Sequence, residues 1–182
     1  MSGVLIVYMS RRGHTARVAR TLMGHLNASG CDCDMMDVVE AKHEGIEWDR
    51  YHTVVVGAPV LYGKFDDSVW EFIKTHQAQL EARNNAFYCL SVVARNPAKA
   101  TVEGNRYMQK FLAQSPWRPQ LLKVVAGKVD YPNWGFWDSL SIKFIMKMTK
   151  GPTDPNTVID YTDYNEVEAF AAQIRRLSQQ GQ

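Results

Sequence analysis

The segment "MSRRGHT", residues 9–15, follows the first apolar run of the chain and carries groups that suit a phosphate. Ser10 and Thr15 offer hydroxyl donors, and Gly13 allows the backbone to approach a ligand closely. Apolar residues recur at helical spacing after Thr15, which predicts a helix N-terminus with free N–H groups. A terminal phosphomonoester fits this loop, whereas the spacing matches neither the dinucleotide nor the nucleoside-triphosphate pattern. A helix start capped by a hydroxyl is the alternative.

Two further loops, "APVLYGKF" and "SVVARNP", follow other apolar runs. Gly63 permits a turn against a flat ligand, and Tyr62 either stacks on an aromatic ring or lies on the surface. Arg95 is either a binding cation or an ordinary surface charge.

The elements that must position these loops alternate between two kinds of segment. Apolar runs predict strands at 3–9, 31–37, 53–58, 86–93 and 121–127. Helical periodicity predicts helices near 15–28, 40–50, 67–81, 104–115 and 163–179. This alternation is typical of an α/β fold, a doubly wound five-stranded parallel sheet with helices on both faces. In the order 2-1-3-4-5 the ligand lies at the carboxyl ends of the strands, where the three loops would meet.

The composition is that of a globular protein, 46% hydrophobic and 22% charged, and a single domain over 1–182 is expected. A net charge of +2 argues against a nucleic-acid partner. The three cysteines form no CxxC pair, and the five histidines show no ligand spacing, so structural thiols and no metal are expected. The first residues lack the features of a signal peptide, which predicts a cytoplasmic protein.

After the fifth predicted strand, an insertion at about 128–156 has no place in a minimal five-stranded fold. At helical spacing, one side of this segment is apolar, with Trp137, Leu140, Phe144 and Met148. A second side is basic, with Lys143, Lys147 and Lys150, and a third is again apolar, with Ile142 and Met146. A helix with two apolar sides needs two partners. One is the domain, and the other is substrate, a second subunit or the membrane interface, unless the helix is buried in an enlarged core.

The whole chain resembles the flavodoxin-like FMN proteins, and more closely the bacterial flavodoxin-type, quinone-dependent protoporphyrinogen IX dehydrogenases. The resemblance is carried by "SRRGHT", "YGKF", "FYCLSVVARNP", "SPWRP", and "YPNW" followed by "IKFIMKMTKGPTD". The last pair is the most specific, because ordinary flavodoxins contain nothing comparable. Flavodoxins usually carry a hydroxyl residue before the glycine of the phosphate loop. Arg12 stands there in this chain, which argues against a plain electron carrier.

The resemblance implies a flavodoxin-like fold with FMN as cofactor. The implied FMN contacts are Ser10, Arg11, Arg12, Gly13, His14 and Thr15 for the phosphate, and Pro59, Val60, Leu61, Tyr62, Gly63, Ser91, Val92, Val93, Ala94 and Arg95 for the ring. Candidate substrate contacts are Arg95, Trp134, Trp137 and Lys143, and Phe136 with the two tryptophans is expected to wall the ring pocket. No side chain is expected to be catalytic, because the chemistry would take place at N5 of FMN.

The implied reaction is the six-electron oxidation of protoporphyrinogen IX to protoporphyrin IX in three two-electron rounds, in haem biosynthesis. The implied acceptor is menaquinone or ubiquinone. The protein would then lie on the cytoplasmic side of the inner membrane as a peripheral protein, held by the 128–156 insertion, with a homo-oligomer left open.

Two alternatives remain at this stage, an FMN-dependent quinone reductase with another donor and a non-catalytic electron-transfer flavodoxin. Four cations, Arg11, Arg12, Lys64 and Arg95, lie in the three loops. They would favour an anionic reduced flavin or bind the propionates of a porphyrinogen. A carrier needs neither these cations nor the insertion.

Overall fold

The computed structural model describes residues 3–180, and its centre is a five-stranded parallel sheet in the order β2-β1-β3-β4-β5. The strands are β1 Gly3–Tyr8, β2 Asp32–Asp37, β3 Tyr51–Pro59, β4 Asn84–Ser91 and β5 Leu121–Ala126. This is the fold class and strand order predicted from the sequence, which are thereby confirmed.

Seven helices and a small antiparallel ribbon complete the described part. The helices are α1 His14–Ala28, α2 Val38–Glu44, α3 Asp67–Thr75, α4 Gln77–Glu81, α5 Arg106–Gln114, α6 Phe136–Met148 and α7 Tyr164–Gln179. The ribbon pairs β6 Lys128–Asp130 with β7 Val158–Asp160. Helices α1 and α7 cover one face of the sheet, and α2 to α5 cover the other.

Burial of both faces explains why the strands read as continuous apolar runs. Along β1, Val4 and Ile6 point into the core beneath α1 and α7, whereas Leu5 and Val7 point into the core beneath the other helices. All four side chains are fully buried. Alternate side chains of a strand therefore enter the two cores in turn, and neither set faces water.

Some predicted boundaries differ from the structure for local reasons. The helix predicted over 67–81 is interrupted at His76, whose backbone leaves helical geometry while its ring packs against Trp48 and Phe72. The predicted helix at 40–50 begins earlier, because Asp37 and Glu40 form a capping box. The strand predicted to reach residue 93 ends at Ser91, where the chain turns into a 3-10 helix.

The segment predicted as an insertion forms a third, smaller core. Val129, Tyr131 and Met146 are buried together there, with Ile142 packed against them. The Arg95 guanidinium donates hydrogen bonds to the carbonyl oxygen of Thr149 (2.7 Å) and to its Oγ1 (2.9 Å), so it ties the end of α6 to the loop after β4. The single domain over 1–182 stays a prediction, and residues 1, 2, 181 and 182 lie outside the described part.

Beneath α1 and α7, a close contact between neighbouring strands leaves a polar atom without a partner. Gly57 on β3 lies opposite Tyr88 on β4, and a Cβ at Gly57 would come within 2.1 Å of the Tyr88 ring. The Tyr88 ring fills this space, and its hydroxyl is buried with no hydrogen-bond partner among residues 3–180. Such a hydroxyl loses its hydration without compensation.

We expect Tyr88→Phe to raise the free energy of unfolding by about 1 kcal/mol, because the substitution removes only this unpaired hydroxyl. Urea unfolding followed by circular dichroism measures the change. The matched control is Tyr51→Phe, which removes a 2.7 Å hydrogen bond to Asp34 and should lower stability by about 1 kcal/mol. A loss of stability in both variants would contradict the assignment.

Candidate functional site

A cavity of about 480 Å³ opens at the carboxyl edge of the sheet, between the loop after β1, the loop after β3 and the insertion. This volume is within the usual range for small-molecule sites. Its lining residues are Ser10, Arg11, Arg12, Gly13, His14, Thr15, Arg17, Pro59, Val60, Leu61, Tyr62, Leu90, Val92, Gly127, Lys128, Asp130, Asn133, Trp134, Asp138 and Ile142.

The loop between β1 and α1 is arranged around the Ser10 hydroxyl. Its Oγ accepts hydrogen bonds from the backbone N–H groups of Gly13 (3.1 Å) and Ala16 (3.3 Å), which leaves its own hydrogen to donate to a ligand. Gly13 precedes the helix with a φ of 82°, in the left-handed region that favours glycine. The first turn of α1 contains no acidic residue, so its N–H groups other than that of Ala16 can bind an anion without a competing negative charge.

The loop after β3 is a tight turn that projects an aromatic side chain. Leu61 and Lys64 exchange backbone hydrogen bonds of 2.8 and 3.0 Å around Tyr62 and Gly63. Both central residues have positive φ, 50° and 76°, as in a type I′ turn. A tyrosine in the left-handed region is strained by about 1–2 kcal/mol, and its side chain here is half-exposed. Strain of this kind is found mainly at functional sites.

The insertion supplies the opposite wall of the cavity. Lys128 Nζ donates to Asp130 Oδ2 (2.7 Å) and the Asn133 amide donates to Asp130 Oδ1 (2.9 Å). These hydrogen bonds hold the pKa of the Asp130 carboxyl below its ordinary value, and the one from Lys128 has the largest effect. The three side chains therefore keep a lysine charge and a carboxylate fixed beside each other at neutral pH.

Two side chains of the loop after β1 and the start of α1 bind the part of the chain that follows β5. The Arg12 guanidinium lies over the Trp134 ring, 5.2 Å from its centroid, and forms an ion pair with Asp138. Two residues later, His14 Nε2 lies 2.8 Å from Thr162 Oγ1. Thr162 Oγ1 already donates its hydrogen to the Ala126 carbonyl, so His14 Nε2 must be the donor. Burial lowers the pKa of His14 from its ordinary value.

The charges of the lining residues favour an anion. Four cationic side chains line the cavity, Arg11, Arg12, Arg17 and Lys128, against the carboxylates of Asp130 and Asp138. With His14 neutral, the surplus is two positive charges, which matches a phosphomonoester dianion. A flat ring also has suitable neighbours in the lining, because Tyr62 and Trp134 are aromatic. The residues present therefore fit FMN.

Most of the site residues predicted from the sequence meet in this cavity. The six residues of the first loop line it, as do Pro59, Val60, Leu61 and Tyr62 from the second loop, Val92 from the third, and Trp134. The others lie elsewhere. Ser91, Val93 and Ala94 are buried beneath the edge of the sheet, and Gly63 lies at the far side of its turn, near Tyr107. Lys64 and Phe136 are also outside the lining.

The remaining predicted substrate contacts have other neighbours. Arg95 is bonded to Thr149 and supports α6. Trp137 is 75% exposed on the outer side of α6. Lys143 Nζ lies 5.6 Å from the centre of the Tyr131 ring, on the side of the helix that faces away from the cavity described above.

Sequence reasoning missed the residues that follow β5. Gly127, Lys128, Asp130 and Asn133 line the cavity, together with Asp138 and Ile142 of α6. The rule that ligands bind at the carboxyl ends of parallel strands applies to β5 as well as to its neighbours, and it would have identified Gly127 and Lys128. Nothing in the sequence indicates that Asp138 pairs with Arg12.

Comparison with known proteins agrees with the fold. The family model described as "Flavodoxin domain" matches residues 5–156. A protoporphyrinogen IX dehydrogenase (quinone) of Escherichia coli is 38% identical over 174 residues, which cover 96% of this chain and 95% of the relative. A protein of the same name from Leishmania major is 36% identical over 174 residues, which cover 95% of this chain and 74% of the relative.

Solved structures agree at the level of the fold. Oxidised flavodoxin 1 from Bacillus cereus has a TM-score of 0.56 at 15% identity, covering 96% of this chain and 98% of that one. A flavodoxin from the domain Archaea has a TM-score of 0.52 at 12% identity, covering 97% and 99%. The chain belongs to the flavodoxin domain family and, within it, to the family of the protoporphyrinogen IX dehydrogenases (quinone).

Proposed function

We propose that this protein binds FMN and oxidises protoporphyrinogen IX to protoporphyrin IX, with a membrane quinone, menaquinone or ubiquinone, as electron acceptor. The observation that carries the proposal is the near-complete alignment with relatives of that name, which spans both the phosphate loop and the insertion that together enclose the cavity. Removal of six electrons and six protons requires three rounds, and three quinones take them up as quinols.

The phosphate of FMN is held by the loop after β1. Ser10 donates its free hydroxyl hydrogen, and the N–H groups at the start of α1 donate along the helix axis. Arg11, Arg12 and Arg17 supply the positive charge that a dianion requires. FMN supplies the transfer of electron pairs when bound, and the protein supplies orientation and electrostatics.

Tyr62 and Trp134 would hold the ring of FMN, with Val60, Leu61 and Val92 as apolar contacts. Lys128, fixed by Asp130, adds a positive charge to this part of the cavity and stabilises negative charge gained on reduction. Of the other residues predicted for the ring, Arg95 anchors α6 through Thr149, and Ser91, Val93 and Ala94 are buried outside the cavity lining.

The outer side of α6 docks the protein on the cytoplasmic face of the inner membrane. Its large apolar side chains are between 50% and 75% exposed, namely Phe136, Trp137, Leu140, Phe144 and Met148. Lysines flank this surface, a composition typical of helices that lie in a membrane interface. Within residues 3–180, no helix has the length and hydropathy needed to cross a bilayer. A second copy of the chain is the other candidate to cover this surface.

The first test is anaerobic oxidation of protoporphyrinogen IX by the FMN-loaded protein, followed by porphyrin fluorescence with and without a menaquinone analogue. We expect quinone-dependent porphyrin formation, with three quinones reduced per porphyrin. No gain over the non-enzymatic rate would overturn the proposed reaction. Quinone reduction by NADH without porphyrinogen oxidation would identify a quinone reductase instead.

A second test concerns the phosphate loop. Ser10→Ala should weaken FMN binding by about tenfold, because the hydroxyl organises the loop and donates to the phosphate. Affinity is measured by quenching of flavin fluorescence. Riboflavin, which lacks the phosphate, should bind both proteins equally, and Ser29→Ala, which alters a hydroxyl at the other end of α1, should leave FMN binding unchanged. An equal loss for FMN and riboflavin would contradict this role.

A third test concerns the membrane surface. The double variant Trp137→Ser/Met148→Ser should lose most of its co-sedimentation with vesicles of phosphatidylethanolamine and phosphatidylglycerol, because both side chains are over 70% exposed and apolar. Val39→Ser, an exposed apolar residue on α2, is the matched control. If vesicle binding persists and sedimentation shows that the variant has changed from dimer to monomer, the surface contacts a second copy rather than lipid.

A further inference from the structure

A second, wider cavity of about 970 Å³ lies on the other side of Tyr62, between the loop after β3 and the basic side of α6. We refer to it as the α6 groove, and its lining residues are Tyr62, Leu140, Ser141, Lys143, Phe144, Ile145, Lys147 and Thr153. Tyr62 also lines the first cavity, so the two cavities share this side chain as a wall.

The chemistry of the α6 groove is that of an amphiphilic anion site. Leu140, Phe144 and Ile145 give it an apolar wall, and Lys143 and Lys147 stand one turn apart at its side. No carboxylate is among the lining residues, and neither lysine forms an ion pair within residues 3–180. The groove therefore presents two positive charges that no carboxylate of the described residues neutralises beside an apolar surface, and Lys143 also lies over the Tyr131 ring.

These features favour the porphyrinogen over the quinone among the ligands of the proposed reaction. A porphyrinogen is a large apolar macrocycle whose two propionates leave from neighbouring pyrrole rings. It needs an apolar wall with two cations on one side, which is what α6 presents. A quinone ring carries no charge and has no use for the lysines. Of the other cations near the site, Arg11, Arg12 and Lys128 are paired with carboxylates, and Arg95 is bonded to Thr149.

We infer that the α6 groove is the binding site of the porphyrinogen, with its propionates on Lys143 and Lys147 and its macrocycle against Leu140, Phe144 and Tyr62. This inference rests on the proposed function and adds where the substrate lies. Because Tyr62 is shared by both cavities, a macrocycle in the groove lies beside the cavity assigned to FMN. Tyr62 therefore positions both ligands, which accounts for an aromatic side chain at a strained backbone position.

The test compares two forms of one probe on the FMN-loaded protein. Protoporphyrin IX carries the two carboxylates, and its dimethyl ester has the same macrocycle without the charges. In Lys143→Gln/Lys147→Gln, we expect the affinity for protoporphyrin IX to fall by about five- to tenfold. The affinity for the ester should change by less than about twofold. Binding is followed by quenching of porphyrin fluorescence in dilute detergent.

Kinetics provide a second readout. The double variant should show a raised KM for protoporphyrinogen IX and an unchanged KM for the menaquinone analogue, with unchanged FMN affinity. Lys110→Gln, an exposed lysine on α5 outside both cavities, is the matched control and should behave as the parent protein.

The outcomes separate this inference from the proposed function. If the parent protein does not oxidise protoporphyrinogen IX, the proposed function fails. If it does, but the double variant binds protoporphyrin IX as tightly as the parent or loses both probes equally, the groove is not the propionate site. Loss of binding to anionic vesicles with unchanged porphyrin affinity would assign the lysines to lipid headgroups and overturn the inference.

Discussion

The contacts between the loop after β1 and the part of the chain that follows β5 determine whether the cavity exists at all. The sheet supplies only one side of it, and the other side comes from residues more than a hundred positions later in the chain. Arg12 with Asp138 and Trp134 holds one end, and His14 with Thr162 holds the other. Because these side chains follow directly on Ser10 and surround Gly13, the cofactor loop and the wall opposite it are positioned by the same short segment.

Helix α6 carries two different surfaces, and their energetics differ. Inward, Met146 and Ile142 pack with Val129 and Tyr131, and the Arg95 hydrogen bonds fix the end of the helix. Outward, large apolar side chains remain exposed to water, where they contribute nothing to folding. A surface that gains nothing from the fold is explained by what it contacts outside the domain, which is consistent with a substrate and an acceptor that both partition into lipid.

The sequence was sufficient to predict the sheet order and the loops after β1 and β3, because buried parallel strands read as apolar runs and phosphate loops have recognisable residues. Local sequence patterns did not predict the positions of side chains that tertiary contacts determine. Ser91 ends β4, and Val93 and Ala94 follow it in a 3-10 helix, where ring-binding residues were expected, yet all three are buried. Arg95 was expected at the ligand and is bonded to Thr149, and Lys128 was overlooked, because both depend on where the insertion packs.

The start of α1 has a consequence for the lifetime of the protein. Helices α2, α3, α5 and α7 each begin at an Asp or Asn whose side chain accepts from the first turn. Helix α1 begins at Gly13, and Ser10 of the preceding loop accepts from one N–H group of its first turn, that of Ala16. A bound phosphate would complete this helix, and a ligand that binds only the folded state shifts the folding equilibrium toward it. Protein that has lost FMN would populate the unfolded state more often, and the unfolded state is the one that proteases cleave.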